Sequence, residues 1–247
     1  MVAVGFYVAI AAGLAAVLDA ALGPAPDPVV ELALTHVVPL PLAIAAGLVF
    51  ARRAGWWAEV WTEPNVLHGP MRRRWMLLVP VAIAAQIVLL LISTPWPTLS
   101  GSSIGVGLLC YLLVGLGEEL YFRGILLVAA RGHHGETVTL LVTAFTFGFA
   151  HTLGAALHGL PAGAIAFEVA VTAMLGVVLY AARRATGTLW VPILLHALGD
   201  YARWLSSGDG QDHIGGADAS VQVVLGVLAT AVLVSTIRED RRMRKVA

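Results

Sequence analysis

Apolar residues occupy this chain in long unbroken runs, and the polar positions collect between them. Eight runs come close to the ~20 residues that a helix needs to cross ~30 Å of hydrocarbon: 2 to 18, 32 to 50, 75 to 93, 104 to 130, 137 to 158, 162 to 182, 188 to 205 and 219 to 237. The pattern predicts an all-α, polytopic integral membrane protein of about eight transmembrane helices. No basic segment precedes the first run, so it reads as a span and not as a cleaved signal peptide.

The charges between the runs set an orientation. Arg52, Arg53, Arg72, Arg73 and Arg74 lie between runs two and three, Arg131 between four and five, and Arg183 and Arg184 between six and seven. Arg238, Arg241, Arg242, Arg244 and Lys245 follow run eight. These are alternate loops, whereas the opposite loops hold only acids such as Asp27, Asp209, Asp212 and Asp218. Since Lys and Arg favour the cytoplasmic side, both termini are expected in the cytoplasm, with the chain in the cell membrane.

Composition agrees, because 59% of the 247 residues are hydrophobic and only 12% are charged, which excludes a soluble globular domain. The formal net charge of zero gives no reason to expect a nucleic-acid partner. Cys110 is the only cysteine, so no intrachain disulfide forms, and in an apolar run it reads as a small buried thiol. The longest loop holds GWWAEVWTEP, where Trp56, Trp57, Val60 and Trp61 share one helical face. This predicts a short amphipathic helix in the cytoplasmic interface, ended by Pro64. His133 and His134 fall in a polar turn, and His36, His68, His158 and His213 have no matching partners. Three sections result: 1–103 with the first three spans, a core from 104 to 205, and 206–247 with an outer loop, the last span and a basic tail.

The chemistry lies in polar residues inside the runs. An ionised side chain at a helix centre costs ~2.5–3.5 kcal/mol on insertion scales, yet run four carries Glu118, Glu119 and Arg123 within GEELYFRG. Run five carries His151, and run seven His196 and Asp200; Glu168 on run six stands alone. Glu118 and His151 each lie 14 residues into their runs and His196 8 residues into its own, so at ~1.5 Å per residue all three approach the midplane. They can line one polar intramembrane cavity. Glu119 and Arg123, four apart, can form an intrahelical ion pair, while Glu118 points about 100° away and has no local partner. A carboxylate so placed is a usable general base. Phe147 and His151 share a face in FGFAH, as do His196 and Asp200 in HALGD.

EELYFR, FGFAH and HALGD, in this order on three spans, resemble the motifs of the CAAX protease and bacteriocin-processing family of intramembrane proteases. That family includes the prenyl-protein endopeptidases of the Ras-converting type. The resemblance implies an eight-helix fold and hydrolysis of a peptide bond in a membrane-associated, CAAX-type or other lipidated substrate. Glu118 and His151 would activate water, and His196 and Asp200 would line the oxyanion side, with Glu119, Arg123 and Phe147 supporting them. Relatives often have Asn at the position of Asp200; an ionised Asp would repel an oxyanion, so Asp200 is expected to be neutral or to orient His196. A metal-free mechanism is favoured. The alternative is a zinc ion on Glu118, His151 and His196, a ligand set of suitable type although no HExxH is present. A proton-coupled transporter and a non-catalytic immunity or regulatory protein are the competing readings.

Overall fold

The computed structural model describes residues 1–23, 27–64, 74–157, 159–207 and 216–243. Among these the chain is helical, without a strand and with one isolated bridge between Thr62 and Thr188. Eight long helices follow the eight apolar runs: α1 Val2–Ala21, α2 Val29–Arg53, α3 Arg74–Ser93, α4 Gly101–Arg131, α5 Glu136–Leu157 and α6 Ala162–Thr186, then α7 Trp190–Ser207 and α8 Gly216–Met243. Arg72, Arg73, Arg244, Lys245, Asp209, Asp212, His68, His158 and His213 lie outside the described residues, as does the side chain of Asp218.

Seven of the eight are long and apolar enough to cross a membrane, and α7 is the exception. Its 18 residues include His196, Asp200, Arg203 and two serines, which lowers its hydropathy below that of a lipid-facing span. α3 and α4 pack along α7, so protein covers the polar positions that lipid would not accept. Elsewhere the apolar surface stays open: Val81, Val88 and Ile92 on α3 and Val223 and Val227 on α8 are exposed, as lipid-facing side chains must be.

Local chemistry explains the helix ends. Asp27 Oδ1 accepts from the Val29 N–H at 2.8 Å and Ser100 Oγ from the Ser103 N–H at 3.0 Å, each satisfying a first-turn donor. Gly187 ends α6 in the left-handed region at φ 75°, a conformation a side chain would disfavour. Pro39 interrupts α2 at Val38, because a proline has no N–H to continue the ladder. Two stretches are wound as π-helix, Ala9–Leu14 in α1 and Leu120–Leu126 in α4.

Packing has two centres. One joins α1, α2 and the π segment of α4 through Val4, Tyr7, Ile44, Leu120 and Phe122; the other joins α3, α6 and α8 through Val79, Ile83, Leu179, Leu225 and Val232. Because lipid tails are as apolar as leucine, close van der Waals fit holds such helices together in a bilayer. The α5–α6 pair shows it: a Cβ added at Gly148 would lie 2.6 Å from the Val169 carbonyl oxygen, and one at Gly176 2.8 Å from Ala144 Cα.

Ion pairs close the arginine-rich end. Arg131 pairs with Glu63 and Glu136, and Arg184 with Glu136 at 2.8 Å and Glu239 at 3.6 Å. Arg183 is fully buried, donating to the Glu59 carbonyl and lying 3.5 Å from Glu63. Asp240 of α8 accepts from the backbone N–H groups of Glu136 at 3.2 Å and Thr137 at 2.8 Å, so one helix caps another. The predicted short helix forms at Trp57–Trp61 and stops at Thr62, before Pro64. Its expected single apolar face is divided, however. Val60 is buried against Gly124 of α4, while Trp57 stays exposed under the guanidinium of Arg52. Two backbone bonds, Glu63 N–H to Gly187 O and Leu189 N–H to Trp61 O, clamp the segment to the α6–α7 turn and remove it from a freely floating interfacial position.

Candidate active site

The three motif helices meet because α4 and α7 touch backbone to backbone. At Gly115 an added Cβ would lie 2.8 Å from both Ala197 Cβ and the Ile193 carbonyl oxygen, so any larger residue would drive the helices apart. One turn further on, α4 presents Glu118 and Glu119 to His196. The π turns begin at the next residue, Leu120, in keeping with the frequency of such windings at functional sites.

Glu119 is the hub. Its Oε1 accepts from Arg123 Nη1 at 2.6 Å and from His196 Nδ1 at 2.9 Å, with Glu119 and Arg123 both fully buried. The intrahelical pair expected from the sequence is present. The second bond, across to α7, could not be read from one helical wheel. Since Glu119 can only accept, Nδ1 of His196 carries the hydrogen, and Nε2 faces Asp200 Oδ2 at 3.2 Å and Glu118 Oε2 at 3.5 Å. Nε2 is thus flanked by two carboxylates, with Asp200 the nearer. Side-chain exposure rises from 0% at Glu119 through 3% at His196 and 16% at Glu118 to 33% at Asp200, so the cluster runs from a closed interior towards an open side.

Phe147 forms the aromatic floor. Its ring lies under the Arg123 guanidinium at 3.9 Å and edge-on to Phe122 at 5.1 Å, His196 at 5.6 Å and His151 at 5.0 Å. His151 Nδ1 bonds the Phe147 carbonyl at 2.9 Å, which leaves Nε2 as the nitrogen free to meet water or substrate. Glu118, Glu119, Arg123, His196 and Asp200 are thus joined by polar contacts. His151 reaches the group through Phe147 and is in no ion pair with Glu118. Glu118 Oε2, Glu119 Oε2 and Arg123 Nε and Nη2 are buried without a hydrogen-bond partner. Glu168 is half-buried on α6, apart from this cluster.

Among the described residues, no three His, Cys, Asp or Glu side chains converge as a metal-ligand set. Glu118, His151 and His196 as placed therefore do not fit a zinc ion: His196 Nε2 faces Glu118 and Asp200, whereas His151 packs edge-on to Phe147 and is not drawn into that cluster.

One participant escaped the sequence. Tyr7 of α1 is buried, stacks at 4.8 Å on Tyr121 and meets Phe122 edge-on. Its hydroxyl lies 3.1 Å from where a Cβ of Gly117 would stand, beside Glu118. Tyrosine is close to neutral in hydropathy, so nothing in its spacing marks it within an apolar run.

No curated protein and no solved structure matches the chain significantly. Residues 100–202, which contain all three motifs, match the model of a protease family described as type II CAAX prenyl endopeptidase Rce1-like, and that is the family this segment resembles.

Proposed function

We propose that the protein is an intramembrane endopeptidase that cuts a membrane-associated, lipidated substrate of the CAAX type. The observation that carries this reading is the convergence of three motifs from α4, α5 and α7 into one polar cluster inside a bundle of apolar helices. Intramembrane ionisable groups are costly and serve a function by default.

Glu118 takes a proton from water, and the resulting hydroxide adds to the scissile carbonyl carbon. The Nε2 of His151, left free by the Nδ1 bond, would meet substrate or water on the α5 side of the site. His196, fixed by Glu119 at Nδ1, would turn its Nε2–H from Asp200 to the oxyanion as that charge develops, the form of stabilisation that usually contributes most. Collapse then breaks the C–N bond, and the proton held on Glu118 passes to the leaving amine. Asp200 acts as the orienter of His196, which accounts for a carboxylate at a position where it would otherwise repel the oxyanion. This chemistry needs no metal. The arginine-rich loops support a cytoplasmic position for both termini, where the arginine-rich end would meet a C-terminal substrate segment.

The test is cleavage of fluorogenic peptides, prenylated and unprenylated, by protein in proteoliposomes, with Glu118→Gln alongside. Cleavage that the variant loses is expected. Proton flux without any cleavage would favour the transporter reading, and cleavage unchanged in the variant would remove Glu118 from the mechanism.

A further inference from the structure

α1 lies outside the matched segment 100–202, yet it delivers a hydroxyl to the site. Tyr7 sits in a packed aromatic group: its ring lies 4.8 Å from Tyr121 and 6.2 Å from Phe122, and Phe122 in turn abuts Phe147. Tyr121 is itself fixed, donating to the Ala43 carbonyl of α2 at 2.8 Å. Tyr7 is 3% exposed and therefore cannot swing aside. Its hydroxyl reaches the face of α4 that Gly117 leaves bare. The added-Cβ distances there are 3.1 Å to both Tyr7 Cε2 and Tyr7 Oη, so a side chain at position 117 would crowd the phenol off the helix. Glu118 follows Gly117 directly on α4, and Phe122, one turn on from Glu118, meets the Tyr7 ring edge-on, so the phenol lies against the ridge that carries Glu118. Glu119 already accepts from Arg123 and His196, whereas Glu118 Oε2 has no hydrogen-bond partner. Phenylalanine would fill the same space against Tyr121 and Phe122, so packing alone gives no reason for the hydroxyl.

We propose that Tyr7 is a positioning residue for Glu118, its hydroxyl holding the carboxylate and the water it activates in one orientation. Tyr7 thereby makes α1 part of the working site and not only part of its scaffold. The proposal rests on the reading of Glu118 as the general base. The oxygen of the phenol donates towards Glu118 or towards the water between them. The step adds no bond and removes none, so its signature is in kcat, with substrate binding unaffected.

The test uses the full chain in nanodiscs with Tyr7→Phe, which keeps the ring and its stacking. A roughly tenfold fall in kcat is expected, the scale of one hydrogen bond to a charged group, with KM and the melting temperature unchanged. A second readout is independent of turnover: with ζ-13C tyrosine, the Tyr7 resonance, assigned by its loss in Tyr7→Phe, should move in Glu118→Gln and stay fixed in Glu168→Gln. A kcat within twofold of the parent, or a Tyr7 resonance indifferent to Glu118→Gln, overturns the proposal. If the resonance moves while the parent cleaves no peptide, the Tyr7–Glu118 link stands and the protease reading falls.

Discussion

Replacing Glu119 with Gln keeps the shape of the hub and removes its charge, which makes it the most informative single change. Arg123 would then be a fully buried guanidinium with no anion, on top of Nε and Nη2 atoms that already have no partner. Removing one partner of a buried pair costs about 3–5 kcal/mol. For a chain of this size each kcal/mol shifts the melting temperature by about 2–4 °C, so Glu119→Gln should melt roughly 6–20 °C lower. Adding Arg123→Met takes away the stranded charge. It also gives up the cation–π contact on Phe147, about 0.5–2 kcal/mol, so the double variant should regain about 1–4.5 kcal/mol of the loss. Turnover should not return with it. His196 Nδ1 still lacks its carboxylate, and misorientation of a catalytic group can cost about 10²-fold. Glu118→Gln should show the reverse pattern, with melting unchanged and turnover at least ~10²-fold down. Thermal melts in detergent and initial rates in proteoliposomes measure both quantities. A double variant no more stable than Glu119→Gln would refute the pairing argument, and a double variant with restored turnover would refute the orienting role of Glu119.

Three further outcomes are expected. With Cys110 replaced by Ala, single cysteines at Ala54 and His133 should be labelled by an impermeant maleimide only from the cytoplasm, and those at Ser100 and Ser207 only from outside; cytoplasmic labelling of Ser207 would mean that α7 does not cross. Asp240→Ala should lower the melting temperature by the loss of one cap, about 0.5–2 kcal/mol, while leaving kcat alone, and a kcat effect would show that the arginine-rich end communicates with the cluster. Protein purified without added metal should carry no stoichiometric zinc and keep its activity in phenanthroline; chelator-sensitive turnover that zinc restores would replace the glutamate mechanism with a metal one.

The spans were legible because a membrane helix is a simple object: a run of apolar residues of sufficient length. α7 was legible for a different reason. Its own hydropathy is too low, but Arg183 and Arg184 before it and the acids after it require a crossing if the charge asymmetry is to hold. The polar positions of α4, α5 and α7 stood out by their cost inside apolar runs, and the pairing of Glu119 with Arg123 was legible by spacing. What could not be read was contact between helices. The wheel separates Glu118 from Glu119 correctly but is silent on His196, which turns Glu119 from a purely structural partner into the group that holds the imidazole. The same silence hid Arg131, Arg183 and Arg184: loop charge explains on which side they lie, not that Glu63, Glu136 and Glu239 neutralise them. Tyr7 and the π winding left no trace, since neither changes the apolar pattern.

The wide turns at Leu120–Leu126 have a consequence for how this chain can vary. A π turn in an α-helix amounts to one surplus residue that the helix absorbs without breaking. Deleting Ile125 or Leu126 would let α4 return to regular winding, with every backbone bond satisfied and the span still long enough to cross. Since the wide turns take up about one residue's rotation over their length, the helix on either side would keep its facing and Glu118 and Glu119 would still meet His196, whereas the same deletion in the regular winding of Leu127–Arg131 would rotate everything before it by ~100° relative to the end anchored by Arg131. Tolerance to a change of chain length thus differs along one helix: a deletion within Leu120–Leu126 is absorbed where the surplus lies, while one in the regular turn beyond it would leave every motif letter in place and still disassemble the site.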